Sequence, residues 1–308
     1  MKAIRIHAYG GTDVLLYEDA PIPETAPDDV LIKVTATSVN PVDWKIRSGH
    51  AKDRWPTPLP VILGWDVAGI VEQAGAMVFN FKKGDKVYSR NSPFRSGAYA
   101  EYVAVRASEV AFAPKNILLE EAAGIPLACM TAWAGLFEQG GLRAGQAVLI
   151  HGASGGVGTF AVQLAKSAGA HVIATTSVAN VELIRSLGAD MVIDYKSEDF
   201  SKLVKDIDLV FDTIGGETQK KSWGIIKKGG TLVSTVGADE KAAKEHNVYA
   251  KQYMVDSNGG RLQVISGLVD AGNLKVIVDK VFPLTEIKAA HELSEKGHAK
   301  GKIILRVS

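Results

Sequence analysis

Ala147-Val148-Leu149-Ile150-His151-Gly152-Ala153-Ser154-Gly155-Gly156-Val157-Gly158 is the stretch whose reading decides the fold. Four apolar residues read as a buried strand. A glycine-rich turn follows, and then a helical pattern that runs through Gln163 and Leu164 to Gly169. A dinucleotide-binding turn needs a tight bend, a glycine where backbone meets the pyrophosphate, and a glycine where helix packs on strand. Gly155 and Gly158 fill the second and third places, and Ala153 stands in the first. The helix start would add unpaired N–H groups and a positive dipole end for the phosphates. Glycine-rich turns also serve plain packing, so the flanking strand and helix carry most of the weight. The same residues fit a rival pattern. Gly152-Ala153-Ser154-Gly155-Gly156 matches the G-x-S-x-G nucleophile elbow, and Asp212 and His291 follow Ser154 in the order a hydrolase triad needs. That elbow does not require Gly158, and no oxyanion loop of the HGGG type precedes it.

Outward from the turn, residues 120–255 alternate apolar runs with helical patterns. Ala147–Ile150, His171–Thr175, Met191–Asp194, Asp208–Asp212 and Thr231–Val236 read as buried strands, with helices at Gly156–Ala168 and Asn180–Leu187. Such alternation predicts βαβ units and a parallel sheet. Residues 1 to about 115 have a different texture. Short runs such as Leu31–Val34 and Tyr99–Val105 are separated by Gly and Pro. Pro21, Pro23, Pro27, Pro56, Pro58 and Pro60 forbid long helices, so a small barrel or sandwich is expected. After residue 257 a helix is expected at Leu262–Ala271, closed by Gly272, then strands at Val276–Pro283 and Lys302–Val307 around a helix at Ile287–Lys296. No internal repeat or low-complexity segment interrupts the chain.

At 308 residues, 46% of them hydrophobic, the chain can build two cores of ordinary size. Its net charge of +1 excludes whole-protein attraction to nucleic acid or membrane. Cys129 is the single cysteine, so no intramolecular disulfide can form and a reducing compartment fits. The start, Met1–Ile4, lacks a signal peptide's apolar core, and no apolar run is long enough to span a membrane. A cytoplasmic protein is expected.

Sites that prefer NAD carry an acid about 20 residues beyond the glycines, on the ribose 2′-OH. Here the second strand ends Ala174-Thr175-Thr176-Ser177, with no carboxylate before Glu182. Hydroxyls and N–H groups there accept a 2′-phosphate and nothing repels it, so NADP(H) is the expected cofactor. The alternative is that Thr176 and Ser177 only cap the following helix.

With that turn in place, the chain resembles the zinc-independent quinone oxidoreductase branch of the medium-chain dehydrogenase/reductase superfamily, and especially its alkenal/enone reductase-like members. Asn40-Pro41-Val42-Asp43-Trp44-Lys45 is similar to the branch's N-x-x-D segment, and Gly64-Trp65-Asp66-Val67-Ala68-Gly69 to its G-x-D-x-x-G. Gly84–Val87, Gly97–Tyr102, Ala122–Trp133, Asp212–Gly216 and Gly297–Leu305 continue the likeness in order. The resemblance implies an α/β chain: a GroES-like β-barrel domain, 1–120 completed by 257–308, plus a Rossmann doubly wound parallel sheet at 121–256, with NADP(H) in the cleft between them. It implies catalytic roles for Asn40, Asp43 and Lys45. Asn40, Lys45 and Thr131 would also approach the nicotinamide end of the cofactor. Ser154, Gly155, Gly156 and Val157 would hold the pyrophosphate. Thr176, Ser177, Asn180 and Tyr195 would surround the 2′-phosphate, and Ile214 and Val236 would flank the cofactor. In some relatives a lysine stands at the position of Asn180. A homodimer is implied as well, and the loops His50–Pro60 and Asn91–Ser96 would shape the substrate pocket. The residues alone leave Asp43 and Asp66 open to a plainer role as turn caps.

Zinc-using members place their ligands at positions that here hold Asn40, Trp65-Asp66 and Leu127, so no metal is expected. Cys129 reads as core, and His291 and His298 as surface. Without a metal to polarise an alcohol, the substrate expected is one that spreads the incoming charge itself. A quinone or an α,β-unsaturated carbonyl does so over a conjugated enolate, with hydrogen-bond donors at its oxygen. A non-catalytic NADPH-binding protein and the serine hydrolase are the other readings.

Overall fold

The computed structural model describes residues 1–52 and 58–307. Residues 53–57 of the loop His50–Pro60, Pro56 among them, lie outside the described residues. The chain divides into two compact units. One comprises Met1–Leu127, Asp256–Gly272 and Val276–Ser308, and the other Ala128–Val255 and Asn273–Lys275.

The first unit is built on the strand Asp29–Val39, which is buried at nearly every position except Lys33. It stays buried because it has partners along both edges. It pairs antiparallel with Asp66–Ala74, with Tyr102–Arg106 and with the distant strand Lys302–Arg306. Val278–Pro283 lies parallel to this last strand. The unit is thus closed by residues from both ends of the sequence. A smaller antiparallel sheet joins Leu16–Asp19, Lys2–Ile6 and Val61–Ile62. Val30, Ile32, Val34, Val67, Val71, Phe81, Val87 and Val103 pack together as one core. The β-branched residues among them suit pleated strands buried on both faces.

The second unit holds six parallel strands: β1 (Ala147–Ile150), β2 (His171–Thr176), β3 (Met191–Asp194), β4 (Ile207–Asp212), β5 (Ile226–Ser234) and β6 (Tyr249–Gln252). Their order across the sheet is β3-β2-β1-β4-β5-β6. The chain therefore reverses direction between β1 and β4, and ligands of such sheets sit outside the strands' carboxyl ends at that switch point. Helix α1 (Gly156–Ser167) follows β1. Val148, Leu149, Ile150, Val172, Ala174, Val210 and Phe211 are all fully or almost fully buried, as strands covered on both faces require. The sequence reading found five of the six strands and missed β6. Tyr249-Ala250-Lys251-Gln252 is an edge strand with mostly exposed side chains, so it carries no apolar run to find.

Candidate active site

The turn after β1 is tied down at its base and open at its tip. Gly152 has φ +69°, a conformation that suits glycine, and its carbonyl accepts from Gly155 N–H at 3.1 Å. A methyl group on Gly158 would collide with the Gly152 carbonyl and the Ala153 backbone, so this glycine is needed for helix to pass strand. A methyl group on Gly155 would meet only the Gly152 oxygen, at 3.4 Å. Gly155 is also the N-cap of α1, in extended backbone and with no side-chain cap. The first N–H groups of this twelve-residue helix thus have no side-chain acceptor.

The ends of β2 and β3 supply a second half. Thr176 is 2% exposed and Asn180 7%, yet Thr176 Oγ1 and Asn180 Oδ1 are buried without a hydrogen-bond partner. Buried polar atoms rarely go unpaired, which makes both candidates for contact with a ligand. Asn180 Nδ2 donates to Ser177 Oγ at 3.3 Å, and Tyr195 N–H donates to Thr176 O at 3.1 Å. The four residues expected around a 2′-phosphate are therefore neighbours. Ser177 is the N-cap of the short 3-10 turn Val178–Asn180 but makes no side-chain capping bond. The capping alternative thus has no bond to support it.

Asp212, at the end of β4, organises the third part. Its Oδ1 accepts from Ile214 N–H and Gly215 N–H, each at 2.9 Å. Its Oδ2 accepts from Gln219 Nε2 at 2.8 Å and Ser234 Oγ at 3.0 Å. One carboxylate so holds the turns after β4 and β5, and Ile214 and Val236 stand on them 55% and 45% exposed. Ser154–Val157, Thr176, Ser177, Asn180, Tyr195, Ile214 and Val236 all lie along the carboxyl edge of the sheet. Thr131 is elsewhere in the unit, on the helix Pro126–Trp133, where its carbonyl accepts from Tyr253 Oη at 2.5 Å. His151, fully buried, bonds Thr175 and Ser222, and burial pulls its imidazole down to about 4, so it is neutral.

A different cluster fills the first unit. Asn40 N-caps the helix Pro41–Arg47, and Asp43 Oδ2 accepts the Asn40 N–H at 2.7 Å, the return bond of a capping box. The Asn40 side chain points elsewhere. Its Nδ2 donates to Asp66 Oδ2 at 2.8 Å and its Oδ1 accepts from Lys302 Nζ at 2.5 Å. Asp66 also accepts from Ser38 Oγ at 2.5 Å and Leu127 N–H at 2.7 Å. On the other side runs a directed chain. Arg47 donates to His291 Nδ1 at 3.2 Å, which leaves the proton of neutral His291 on Nε2 to meet Tyr99 Oη at 3.3 Å. Tyr99 then donates to Asp43 Oδ2 at 3.0 Å. Burial, with Arg47 beside it, holds the His291 imidazole down to about 3. Lys45 lies in the same helix but outside this cluster, its ammonium 5.5 Å over the Trp44 ring.

The expectation that His291 lies on the surface is corrected: it is fully buried. Its helix, Ile287–Glu295, packs it against Arg47 and Tyr99, residues 244 and 192 positions away, which no local pattern records. His298 is exposed, as expected. Asp212 and His291, the partners a hydrolase reading gives Ser154, are both taken up by other bonds. Cys129 is fully buried, and burial raises its thiol well above the ordinary value. The sequence reading did not assign Lys302, Tyr99 or a central Asp66; each lay inside a motif it quoted, with nothing to say they meet.

Residues 26–115 match the family described as "Alcohol dehydrogenase GroES-like domain", and residues 187–305 the one described as "Zinc-binding dehydrogenase". The "NADPH-dependent alkenal/one oxidoreductase, chloroplastic" of Arabidopsis thaliana is 40% identical over 99% of this chain and 79% of its own. The quinone oxidoreductase of Coxiella burnetii superposes with a TM-score of 0.94 at 36% identity, covering 100% of this chain and 99% of that one. The Escherichia coli quinone oxidoreductase complexed with NADPH superposes at 0.90 with 28% identity, over 100% of both chains. The chain belongs to the quinone and alkenal oxidoreductases of the medium-chain dehydrogenase/reductase superfamily.

In this oxidoreductase no group of three or more His, Cys, Asp or Glu side chains among the described residues is arranged to hold a metal. At the positions that the resemblance matches to zinc ligands, Asn40, Trp65-Asp66 and Leu127, Asp66 accepts from Asn40 Nδ2 and Leu127 N–H, and Asn40 Oδ1 accepts from Lys302 Nζ. Asp43 Oδ1 is buried with no partner, and burial raises its carboxyl to about 7. Bonds from Asn40 and Tyr99 oppose the rise. An unfolded aspartate ionises near 3.8. Between that value and about 7 the folded oxidoreductase keeps a proton the unfolded chain has released, so this group's contribution to stability falls as pH rises. Asp43→Asn removes that titration and keeps an oxygen acceptor. The mutant's melting temperature minus the wild type's is expected to climb by a few degrees from pH 5 to 7.5; a constant difference would show that Asp43 ionises normally.

Proposed function

We propose that this chain transfers hydride from NADPH to a quinone or an α,β-unsaturated carbonyl, an enone or alkenal, without a metal. The observation that carries the cofactor assignment is the carboxyl edge of the β3-β2-β1-β4-β5-β6 sheet. It presents an uncapped helix start beside two unpaired buried oxygens, Thr176 Oγ1 and Asn180 Oδ1. β2 itself ends without a carboxylate, and Asp194, opposite Thr176 on β3, is taken up by the Lys196 N–H and the Ser197 hydroxyl. The donor set fits: backbone N–H groups at Gly156 and Val157 for the pyrophosphate, and Thr176, Ser177 and Asn180 for the 2′-phosphate. Turned over, the Asn180 carboxamide would accept from Ser177 and offer N–H to that phosphate. Bound NADPH supplies the hydride.

For the acceptor, the support is the Asn40–Asp66–Lys302 cluster. A carboxamide with its oxygen held by an ammonium and one N–H held by a carboxylate keeps a second N–H to offer a developing enolate oxygen. Asn40 and Asp43 carry our assignment of the site in this unit. Lys45, Thr131, Tyr195, Ile214 and Val236 are read as cofactor contacts by the resemblance. A homodimer and a cytoplasmic setting are further parts of the reading. The open edge strand β6 and the single buried cysteine support them, although the Arabidopsis relative is chloroplastic. No helix among the described residues is long and apolar enough to cross a membrane.

The test is NADPH consumption with a quinone, an alkenal, an enone and the saturated ketone of the same skeleton, with and without chelator. Turnover with the conjugated acceptors alone, unchanged by chelator, is expected. Tight NADPH binding with no consumption by any acceptor would instead favour a non-catalytic nucleotide-binding protein.

A further inference from the structure

Lys302 is 3% exposed, at the start of the strand Lys302–Arg306. A buried ammonium is expensive unless it is paired and hydrogen-bonded. Here its Nζ donates to Asn40 Oδ1 at 2.5 Å and lies 3.5 Å from both Asp66 Oδ2 and the Val39 carbonyl oxygen. Burial lowers its pKa, while Asp66 and Asp43 support the charged form. Asp66 faces Lys302, Arg47 faces Glu295, and His291 is neutral. Lys302 is also the lysine of the Gly301-Lys302 pair in a motif that the cofactor and substrate assignments leave without a role.

The same bonds fix which way Asn40 faces. An amide can rotate by half a turn, exchanging oxygen and nitrogen, and the neighbours decide which orientation wins. Lys302 can only donate, so it takes the oxygen. The Asp66 carboxyl oxygens accept from Ser38 Oγ and Leu127 N–H, so from Asn40 too they take an N–H. We propose that Lys302 is a positioning residue of the reaction: its buried ammonium is a covalently attached cation that balances Asp66 and locks the Asn40 carboxamide with an N–H toward the acceptor's carbonyl oxygen. This role rests on the proposed hydride transfer. It accounts for a buried cation beside Asn40 and Asp66.

The loss of one well-placed donor or a shift of about 1 Å in its position costs on the order of 100-fold in rate. Lys302→Met is therefore expected to lower kcat/KM for an alkenal and a quinone about 100-fold, chiefly in kcat, with the NADPH Kd changed less than about threefold. Asn40→Ala should lose a similar amount. The double variant should lose no more than either single one, because the two residues act as a unit. Lys302→Arg should recover part of the rate, and Lys300→Met, an exposed neighbour, none should be lost from. Because Lys302→Met leaves Asp66 buried without its counter-charge, Asp66→Asn/Lys302→Met is made alongside as a neutral pair. Folded protein with the same kcat loss supports the role. A folded neutral pair with wild-type kcat/KM for both acceptors overturns it while leaving the proposed reaction intact. Wild-type protein that reduces neither acceptor overturns the reaction and this role together.

Discussion

Gly155→Val is expected to weaken NADPH binding about 100-fold or more and leave the fold standing. The Gly155 backbone is extended, φ −77° and ψ 174°, which valine adopts without strain. A methyl group there meets one atom, at an ordinary contact distance. The space it points into is instead where the helix start would receive the pyrophosphate. Two lost charge-assisted hydrogen bonds amount to roughly 3 kcal/mol or more, a rise in Kd of about 100-fold. Gly158→Ala is the contrasting variant. Its methyl group would meet backbone atoms of Gly152 and Ala153, which cannot swing aside as a side chain can, so lost stability is expected. Ser154→Ala should weaken NADPH by only about fivefold, one hydrogen bond's worth. Circular dichroism and a thermal melt separate folding from binding. Wild-type affinity in folded Gly155→Val protein would remove the pyrophosphate from this turn.

The second large effect concerns the choice between two cofactors. Wild-type protein is expected to bind NADPH more tightly than NADH, and Thr176→Asp to erase or reverse that order. Thr176 ends β2 with its hydroxyl buried and unpaired. A carboxylate in its place accepts the hydrogen bond of a ribose 2′-OH and repels a 2′-phosphate. Like charges ~4 Å apart cost ~1 kcal/mol in water and ~4 kcal/mol at a partly screened surface, so a tenfold to several-hundredfold change is expected. If Thr176 served only to cap the next turn, aspartate would cap as well and the preference would stand unchanged. Dissociation constants for both cofactors, at one ionic strength, decide. Equal affinities in wild type would defeat the NADP assignment, Asn180 then giving too little where some relatives place a lysine.

What could be read from the sequence was what is local. The glycine turn, its strand and its helix occupy one continuous stretch, and each apolar run announces a strand by its own composition. Thr176, Ser177 and Asn180 lie within five residues, so their shared surroundings follow from one strand end. β6 escaped because an exposed edge strand needs no apolar run. His291 was misplaced because a histidine beside Glu292 on a C-terminal helix carries no local sign of burial, which depends on Arg47 and Tyr99 far along the chain. Lys302 looks like an ordinary strand lysine; only its distant partners, Asn40 and Asp66, make it an interior cation. Long-range polar clusters leave no periodic trace, so the first unit's site became legible only once the strands were paired.

The hydrogen bond from Tyr253 to Thr131 has a consequence for how this chain is strung together. Asn40 and Lys302 are 262 residues apart, and closing so long a flexible loop costs about 5 kcal/mol of chain entropy. Thr131 and Tyr253 stand near the two boundaries of the second unit, and their bond brings together positions 122 residues apart. Once that unit has folded, the barrel closes a loop of roughly 140 flexible residues, and the logarithm makes the difference only about 0.6 kcal/mol. An entire nucleotide-binding body can thus sit inside the barrel's sequence almost without penalty, because to the barrel it is one short knot in the thread.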